Sequence, residues 1–301
     1  MRLLITGAGG MLGQEMQRAA RRVTAGVDWR VAAFMREDLD VASQESIFSA
    51  IAMVSPQVIV NCAAYTNVDG CESEAETAYR MNGEVPGVLA KAARETGALL
   101  VHYSTDYVFD GRASTPYKED HPVAPLSVYG RSKLAGEDAI RSGDARHLIL
   151  RTQWLYGRHG RNFVDTILEK AAAGEQLKVV NDQFGAPTWA RDLAVATLEA
   201  VALKLTGTFH AVNAGRCTWY DVALRAVTLA GMDPSLVTPT TTAEYPRPAQ
   251  RPAWGVLDLS KLAEAGVTFR PWDEALEEYV TRERVASLDA AAGAEAGDKQ
   301  K

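Results

Sequence analysis

Apolar residues run almost unbroken through Arg2–Thr6, Arg30–Met35, Gln57–Ala63, Leu99–Ser104 and His147–Thr152. Short runs of that kind, without polar alternation, predict strands buried on both faces. Between them, Met11–Arg22, Ser43–Val54, Glu74–Thr96 and Ser127–Ser142 carry apolar residues at helical spacing. Strand and helix alternating at this rhythm predict an α/β fold: a Rossmann-type doubly wound parallel sheet with helices on both faces.

Beyond Trp154 the rhythm loosens. Helical spacing returns at Phe163–Ala173, Arg191–Leu205 and Tyr220–Ala230, and Leu177–Val180 and Thr208–Val212 read as strands. Thr238–Thr242 and Pro246–Pro252, rich in proline and threonine, read as loop. These pieces predict a dinucleotide-binding domain over 1–153, to which later segments can return, and a smaller C-terminal α/β substrate lobe, mainly 154–282. Residues 283–301, dominated towards the end by alanine, glycine and charge, are expected to be a disordered tail.

The 301 residues are 47% hydrophobic and 23% charged, as a folded globular chain should be. A net charge of -6 gives no reason to expect nucleic acid as a partner. Cys62, Cys71 and Cys217 lack C-x-x-C spacing and read as reduced thiols. The apolar run at the N-terminus is too short for a signal peptide, and no stretch reaches the roughly 18 apolar residues of a membrane span. A cytoplasmic protein, not bound to membrane, is the expectation.

The first strand runs into Gly7-Ala8-Gly9-Gly10-Met11-Leu12-Gly13, with glycines at every third position from Gly7. Gly7 lets the chain turn sharply, Gly10 lets backbone N–H groups approach a pyrophosphate, and Gly13 lets the next helix pack close to the sheet. That helix then offers its positive end to the phosphates. Strand, glycine turn and helix together predict a dinucleotide site. The second strand ends Arg36-Glu37-Asp38-Leu39. Arg36 leans towards the extra phosphate of NADPH, while the acidic pair would suit the free ribose of NADH, so both cofactors stay open.

Ligands of such sheets bind beyond the carboxyl ends of the strands. The third strand ends near Ala63 and Ala64, small enough for a cofactor to pass, and the fourth ends at Thr105, whose hydroxyl can donate to a substrate oxygen. Tyr129 and Lys133 follow, four residues apart on one helical face, after the N-cap candidate Ser127. A phenol has an ordinary pKa near 10, and a neighbouring ammonium would bring it towards neutrality. Thr105, Tyr129 and Lys133 therefore form a workable carbonyl-reducing set, with hydride from a nicotinamide. Tyr117–Pro122, including His121, reads as a solvated loop or a substrate entrance.

The glycine turn with Tyr129-x-x-x-Lys133 resembles the extended short-chain dehydrogenase/reductase superfamily. Within it, Val60–Asp69, Ser104–Gly111, Val128–Glu137, Arg151–Gly157 and Val180–Thr188 resemble the dTDP-4-dehydrorhamnose reductase family, over about residues 1–282. The resemblance implies reduction of the keto group of dTDP-4-dehydro-L-rhamnose by NAD(P)H, the last step of dTDP-L-rhamnose synthesis. It implies Thr105, Tyr129 and Lys133 as the catalytic set, with Tyr129 as proton donor. It implies Gly10, Met11 and Leu12 at the pyrophosphate, Ala64, Tyr65 and Thr66 flanking the cofactor, and Tyr103 beside it. Thr105, Asp106 and Trp154 match sugar-facing positions, and Arg251 a nucleotide contact. Several relatives carry histidine at the position of Tyr65, which leaves that contact open. Glu15 matches a residue that bridges a magnesium-bound dimer in some relatives, which leaves Mg2+ open and the chain a monomer or a homodimer. A related nucleotide-sugar reductase or epimerase, and a non-catalytic NADP-binding regulatory subunit, are the alternatives.

Overall fold

The computed structural model describes residues 1–22 and 26–283. The expected tail, from 284 onwards, lies outside the described residues. The sheet strands are β1 (Arg2–Thr6), β2 (Arg30–Phe34), β3 (Val58–Asn61), β4 (Leu99–Thr105), β5 (His147–Thr152) and β6 (Gly207–His210). All pair in parallel, in the order β6-β5-β4-β3-β1-β2. After β2 the chain returns past β1 to form β3, so the winding direction reverses between β1 and β3. A crevice opens at such a reversal, beyond the strand ends.

Successive strand residues point to opposite faces, and each face has its own core. Leu3, Ile5, Val60, Val101 and Leu150 pack with Leu12 and Met16 of α1 (Met11–Arg21) and with Leu193 and Leu198 of the helix Ala190–Ala202. Leu4, Ile59, Leu100 and Ile149 face the other way. They meet Ile47 and Ile51 of α2 (Gln44–Val54), Leu89 of α3 (Val85–Thr96) and Ile140 of α4 (Val128–Ser142). Every residue of β3 and β4 is buried, which accounts for their unbroken apolar runs.

The predicted strands and the observed ones agree within about two residues at each end. Two departures have local causes. The expected helix Glu74–Thr96 is broken into Ala75–Tyr79, a π turn at Arg80–Glu84, and α3. Pro86, in the first turn of α3, has no N–H for the preceding turn, and the π turn absorbs the mismatch. Val237–Thr240, read as loop, is a strand paired in parallel with Leu177–Val180. Pro239 is tolerated because this is a two-stranded sheet, where every strand is an edge. Ala190–Ala202 and β6 pack back onto the main sheet, while the helices Phe163–Ala172, Trp219–Leu229 and Trp272–Glu278 share a separate core.

Candidate active site

The glycine turn lies at the winding reversal. Gly7 has a φ of 63°, and a Cβ there would stand 2.7 Å from Ala63 N, so the turn and the end of β3 touch. A Cβ on Gly13 would stand 2.4 Å from the Gly7 carbonyl oxygen, so α1 begins tightly against the turn. Gly10 caps α1 with no side-chain hydrogen bond, and the first turn carries no acidic residue. The N–H groups around Met11 and Leu12 are thereby left to an anionic ligand. Leu12 is buried and Met11 half-buried.

At the end of β2, Asp38 accepts from the Met35 N–H at 3.0 Å, and Leu39 is buried. Arg36 is exposed and makes no ion pair among the described residues. The acid that would favour NADH therefore closes its own turn, while the guanidinium of Arg36 faces solvent.

Beyond β3, Ala63 and Ala64 are half-buried and Thr66 exposed. Tyr65 is held by Asn82, whose Oδ1 accepts from its N–H and whose Nδ2 donates to its carbonyl, both at 2.9 Å. The Tyr65 phenol donates to Glu74 at 2.9 Å, which pushes its pKa up. Asn82 Nδ2 also donates to Ser132 Oγ at 3.1 Å, tying this loop to α4.

Several contacts fix α4. Ser127 Oγ accepts from the Gly130 N–H at 3.2 Å, the N-cap read from the sequence. Glu72 accepts from the Val128 N–H at 2.8 Å. A Cβ on Gly130 would stand 2.3 Å from the Tyr107 carbonyl oxygen, and one on Gly136 2.1 Å from that of Asn82. The helix is thus seated by contact at both positions. Tyr129, between Ser127 and Gly130, meets the ring of Tyr107 edge-on at 5.4 Å.

Thr105, the last residue of β4, is buried and donates to Asp106 Oδ1 at 3.0 Å. Burial lifts the Asp106 carboxyl to about 7, against the pull of that hydrogen bond. Burial also raises the Tyr129 phenol, the Asp106 carboxylate adds to the rise, and a hydrogen bond with Thr105 opposes both. Tyr129 therefore keeps its proton across the neutral range.

Lys133 is 3% exposed, and its Nζ donates to the Tyr103 carbonyl at 2.5 Å. Burial lowers its pKa to about 8, with Glu137 opposing. Lys133 was expected to tune the phenol directly. In the structure its ammonium turns to the backbone of β4, and Thr105 is the group that draws the phenol pKa down. The physical reason is the carbonyl of Tyr103, a buried acceptor within reach of Nζ. The Tyr103 ring itself turns into the core, its hydroxyl 2.9 Å from Thr197 Oγ1.

On the other side of the crevice, Trp154 takes a positive φ of 49° and stacks on Trp219 at 3.9 Å between ring centroids. A Cβ on Gly255 would stand 2.5 Å from Asp106 Oδ2, so the segment around Gly255 lies directly on the β4 end. Gln153 Nε2 donates to the Gly255 carbonyl at 3.1 Å, while its buried Oε1 has no hydrogen-bond partner among the described residues. Arg251 donates to both carboxylate oxygens of Asp69, at 2.9 and 3.1 Å, and Arg247 donates to Asp69 as well. Burial alone would raise Asp69; these hydrogen bonds outweigh it and hold the acid at about 2. Arg251 also acts on Tyr107, which places it near the tyrosine pair.

Glu15 lies away from this group. It is 2% exposed, its Oε1 3.8 Å from Arg18, and burial raises its pKa. Arg18, Arg191 and Arg158 surround it, and Glu283 is already paired with Arg18 and Arg191. Two carboxylates, Glu15 and Glu283, lie among these guanidinium groups, and the described residues contain no cluster of metal-ligating side chains. Tyr117 is 1% exposed and stacks on Phe109, while Lys118, Asp120, His121 and Pro122 are exposed, so that segment is a solvated loop anchored at Tyr117.

Sequence reasoning missed Asn61, Asn82, His102 and Tyr107. Asn61 and His102 had a signal: polar residues inside apolar strands are buried, and buried polar groups need partners. Asn82 had none, because its three bonds join segments distant in sequence.

The family model described as the RmlD substrate binding domain matches residues 1–285. A Streptomyces antibioticus protein named a probable dTDP-4,6-dihydroxy-2-methyloxan-3-one 4-ketoreductase is 46% identical, over 92% of this chain and 94% of its own. A Streptomyces griseus dTDP-4-dehydrorhamnose reductase is 45% identical over 92% of each chain. Among solved structures, a dTDP-4-dehydrorhamnose reductase from Bacillus anthracis in complex with NADP superposes with a TM-score of 0.87. It is 35% identical and covers 92% of this chain and 98% of its own.

Proposed function

We propose a reaction from one premise: this chain belongs to the family of the RmlD substrate binding domain. The reaction is NADPH-dependent reduction of the 4-keto group of dTDP-4-dehydro-L-rhamnose to the alcohol of dTDP-L-rhamnose. The observation that carries this reading is the pair of hydroxyls, Thr105 buried and Tyr129 half-buried, at the carboxyl end of β4 and the start of α4.

Bound NADPH supplies the hydride. As hydride bonds to the carbonyl carbon, the C=O π pair moves onto oxygen, and the phenol of Tyr129 gives that oxygen its proton. The raised pKa of Tyr129 keeps the phenol loaded until then. On substrate binding the single hydroxyl proton of Thr105 turns from Asp106 to that same oxygen, which is stabilisation aimed at developing charge. Asp106 and Trp154 face the sugar, and Arg251, held by Asp69, faces the nucleotide. Lys133 holds the nicotinamide side of the crevice together with Tyr103. The glycine turn, Met11 and Leu12 cradle the pyrophosphate, with Ala63, Ala64, Tyr65 and Thr66 along the adjoining strand end. Arg36 receives the extra phosphate of NADPH, and the preference for NADPH over NADH rests on it. The same reading places the protein in the cytoplasm. No helix among the described residues is long and apolar enough to cross a membrane, which is compatible with that placement.

A second reading keeps the chemistry and changes the sugar. The relative at 46% identity is named for the 4-ketoreduction of a different dTDP-sugar. NADPH oxidation with dTDP-4-dehydro-L-rhamnose, set beside other dTDP-4-keto sugars, separates the two. Turnover at least tenfold faster with the first supports the primary reading, and the reverse order moves the assignment to the second. No oxidation with any of them would favour a binding subunit.

A further inference from the structure

Behind the site, inside the sheet, runs a chain of polar groups from neighbouring strands. Thr6 Oγ1 donates to Asn61 Oδ1 at 2.7 Å, and the Ala63 N–H donates to the same oxygen at 3.2 Å. Asn61 Nδ2 lies 3.1 Å from His102 Nδ1, and His102 Nε2 lies 3.4 Å from Lys133 Nζ. Thr6, Asn61, His102 and Lys133 are each 3% exposed or less, so water does not settle which atom donates.

The protein settles it at one end. A backbone N–H only donates, so the Ala63 contact identifies the oxygen of the Asn61 amide. The other branch is then the NH2 group, which only donates, and His102 Nδ1 must accept. A neutral imidazole accepting at Nδ1 carries its proton on Nε2. His102 is neutral, because burial and the charge of Lys133 both lower its pKa well below the ordinary value. Its Nε2–H is therefore directed at Lys133 Nζ. An ammonium there meets another donor, whereas a neutral amine offers a lone pair.

We propose that His102 is a positioning residue: held by Asn61, its Nε2–H opposes the ammonium of Lys133 and sets the pH at which that lysine loses its proton. The consequence for turnover rests on the reductase reading above, but the tautomer does not. The other groups around Lys133 act alongside. Glu137 lies one turn further along α4 and favours the ammonium, though it is shared with Arg151. The Tyr103 carbonyl on β4 accepts from Nζ, Tyr129 lies one turn back, and the Cys62 thiol at the end of β3 is kept neutral by burial. Among these groups the imidazole N–H is the donor that opposes the charge.

Ring 15N spectra of histidine-labelled protein read the tautomer without any substrate. The five histidines are resolved by comparison with His102→Gln. His102 is expected to show an unprotonated Nδ1 and a protonated Nε2 between about pH 6 and 9, the window bracketing the lysine. A protonated Nδ1 would overturn the proposal. Asn61→Asp supplies a second, functional arm, and stands in should His102→Gln not fold. A carboxylate only accepts, so Nδ1 must donate, the tautomer reverses, and Nε2 becomes an acceptor for the ammonium. The basic fall in kcat/KM, which reports the free enzyme, should then move up by about one pH unit, a tenfold gain in activity above the original fall. A reversed tautomer with an unmoved fall would overturn the coupling to Lys133. Loss of all turnover in the parent protein would sink the reductase reading and leave the spectral result intact.

Discussion

Tyr129 illustrates how burial and hydrogen bonding divide the work of an acid. Burial and the neighbouring Asp106 keep the phenol protonated, and Thr105 makes loss of that proton less costly. Replacing Tyr129 by Phe removes the proton and keeps the ring against Tyr107. We expect kcat to fall by roughly 10²–10⁴-fold, the usual contribution of a positioned acid. NADPH affinity, measured by fluorescence titration, should stay within about threefold, since the phosphate cradle is elsewhere. Turnover within tenfold of the parent would remove Tyr129 from its role. Spacing placed Tyr129 and Lys133 on one helix face, and the glycine turn and Thr105 gave the pair its reading. The acceptors that Lys133 reaches were not legible in it. Spacing says which way a side chain points, and Tyr103 and His102 come from a strand about 30 residues earlier.

Helix α4 carries both residues, and its seat depends on backbone contact rather than on side-chain packing alone. Gly130 rests on the Tyr107 carbonyl and Gly136 on that of Asn82, with Asn82 also bonded to Ser132. Gly130→Ala puts a methyl group into the Tyr107 backbone one residue from Tyr129. The expected cost is about 1–3 kcal/mol of stability, as for other overpacked sites. Melting temperature and kcat measured together check it. Stability should fall modestly while kcat falls tenfold or more, because the helix end that moves is the one holding the phenol. At this scale the sequence was most readable where an element is defined by its own pattern. Strands β1, β3, β4 and β5 are buried almost throughout, and their apolar runs say so, whereas β2, read from the same kind of run, lies at the sheet edge and is only half-buried. It was least readable where a partner decides. Val237–Thr240 is a strand because Leu177–Val180 lies beside it, and no local pattern announces that neighbour. Likewise Gly207–His210 was recognised as a strand, but its place on the edge of the main sheet follows from pairing with β5.

For the molecule as a whole, the site lies where two groups of elements meet. The winding reversal between β1 and β3 brings the glycine turn, Ala63 and Tyr65 to one edge, and β4 and α4 add Thr105, Tyr129 and Lys133. The later chain then closes over that edge at two places. Gly255 lies on Asp106, and Arg247 and Arg251 grip Asp69. The glycine fingerprint and the strand pattern led the sequence reading to a cofactor side at this edge, and the resemblance supplied Asp106, Trp154 and Arg251 for the substrate side. What the sequence did not show is how the later chain reaches that edge, because the contacts join residues as far apart as Asp69 and Arg251. In the proposed reaction hydride passes from NADPH to the carbonyl carbon while Tyr129 protonates the oxygen. NADPH deuterated at the 4-position of the nicotinamide, prepared as each epimer in turn, tests this with dTDP-4-dehydro-L-rhamnose as substrate. One epimer should deliver deuterium to carbon 4 of the product sugar, seen by mass spectrometry and proton NMR, and the other should not. A product without deuterium from either epimer, or no product at all, would contradict the account.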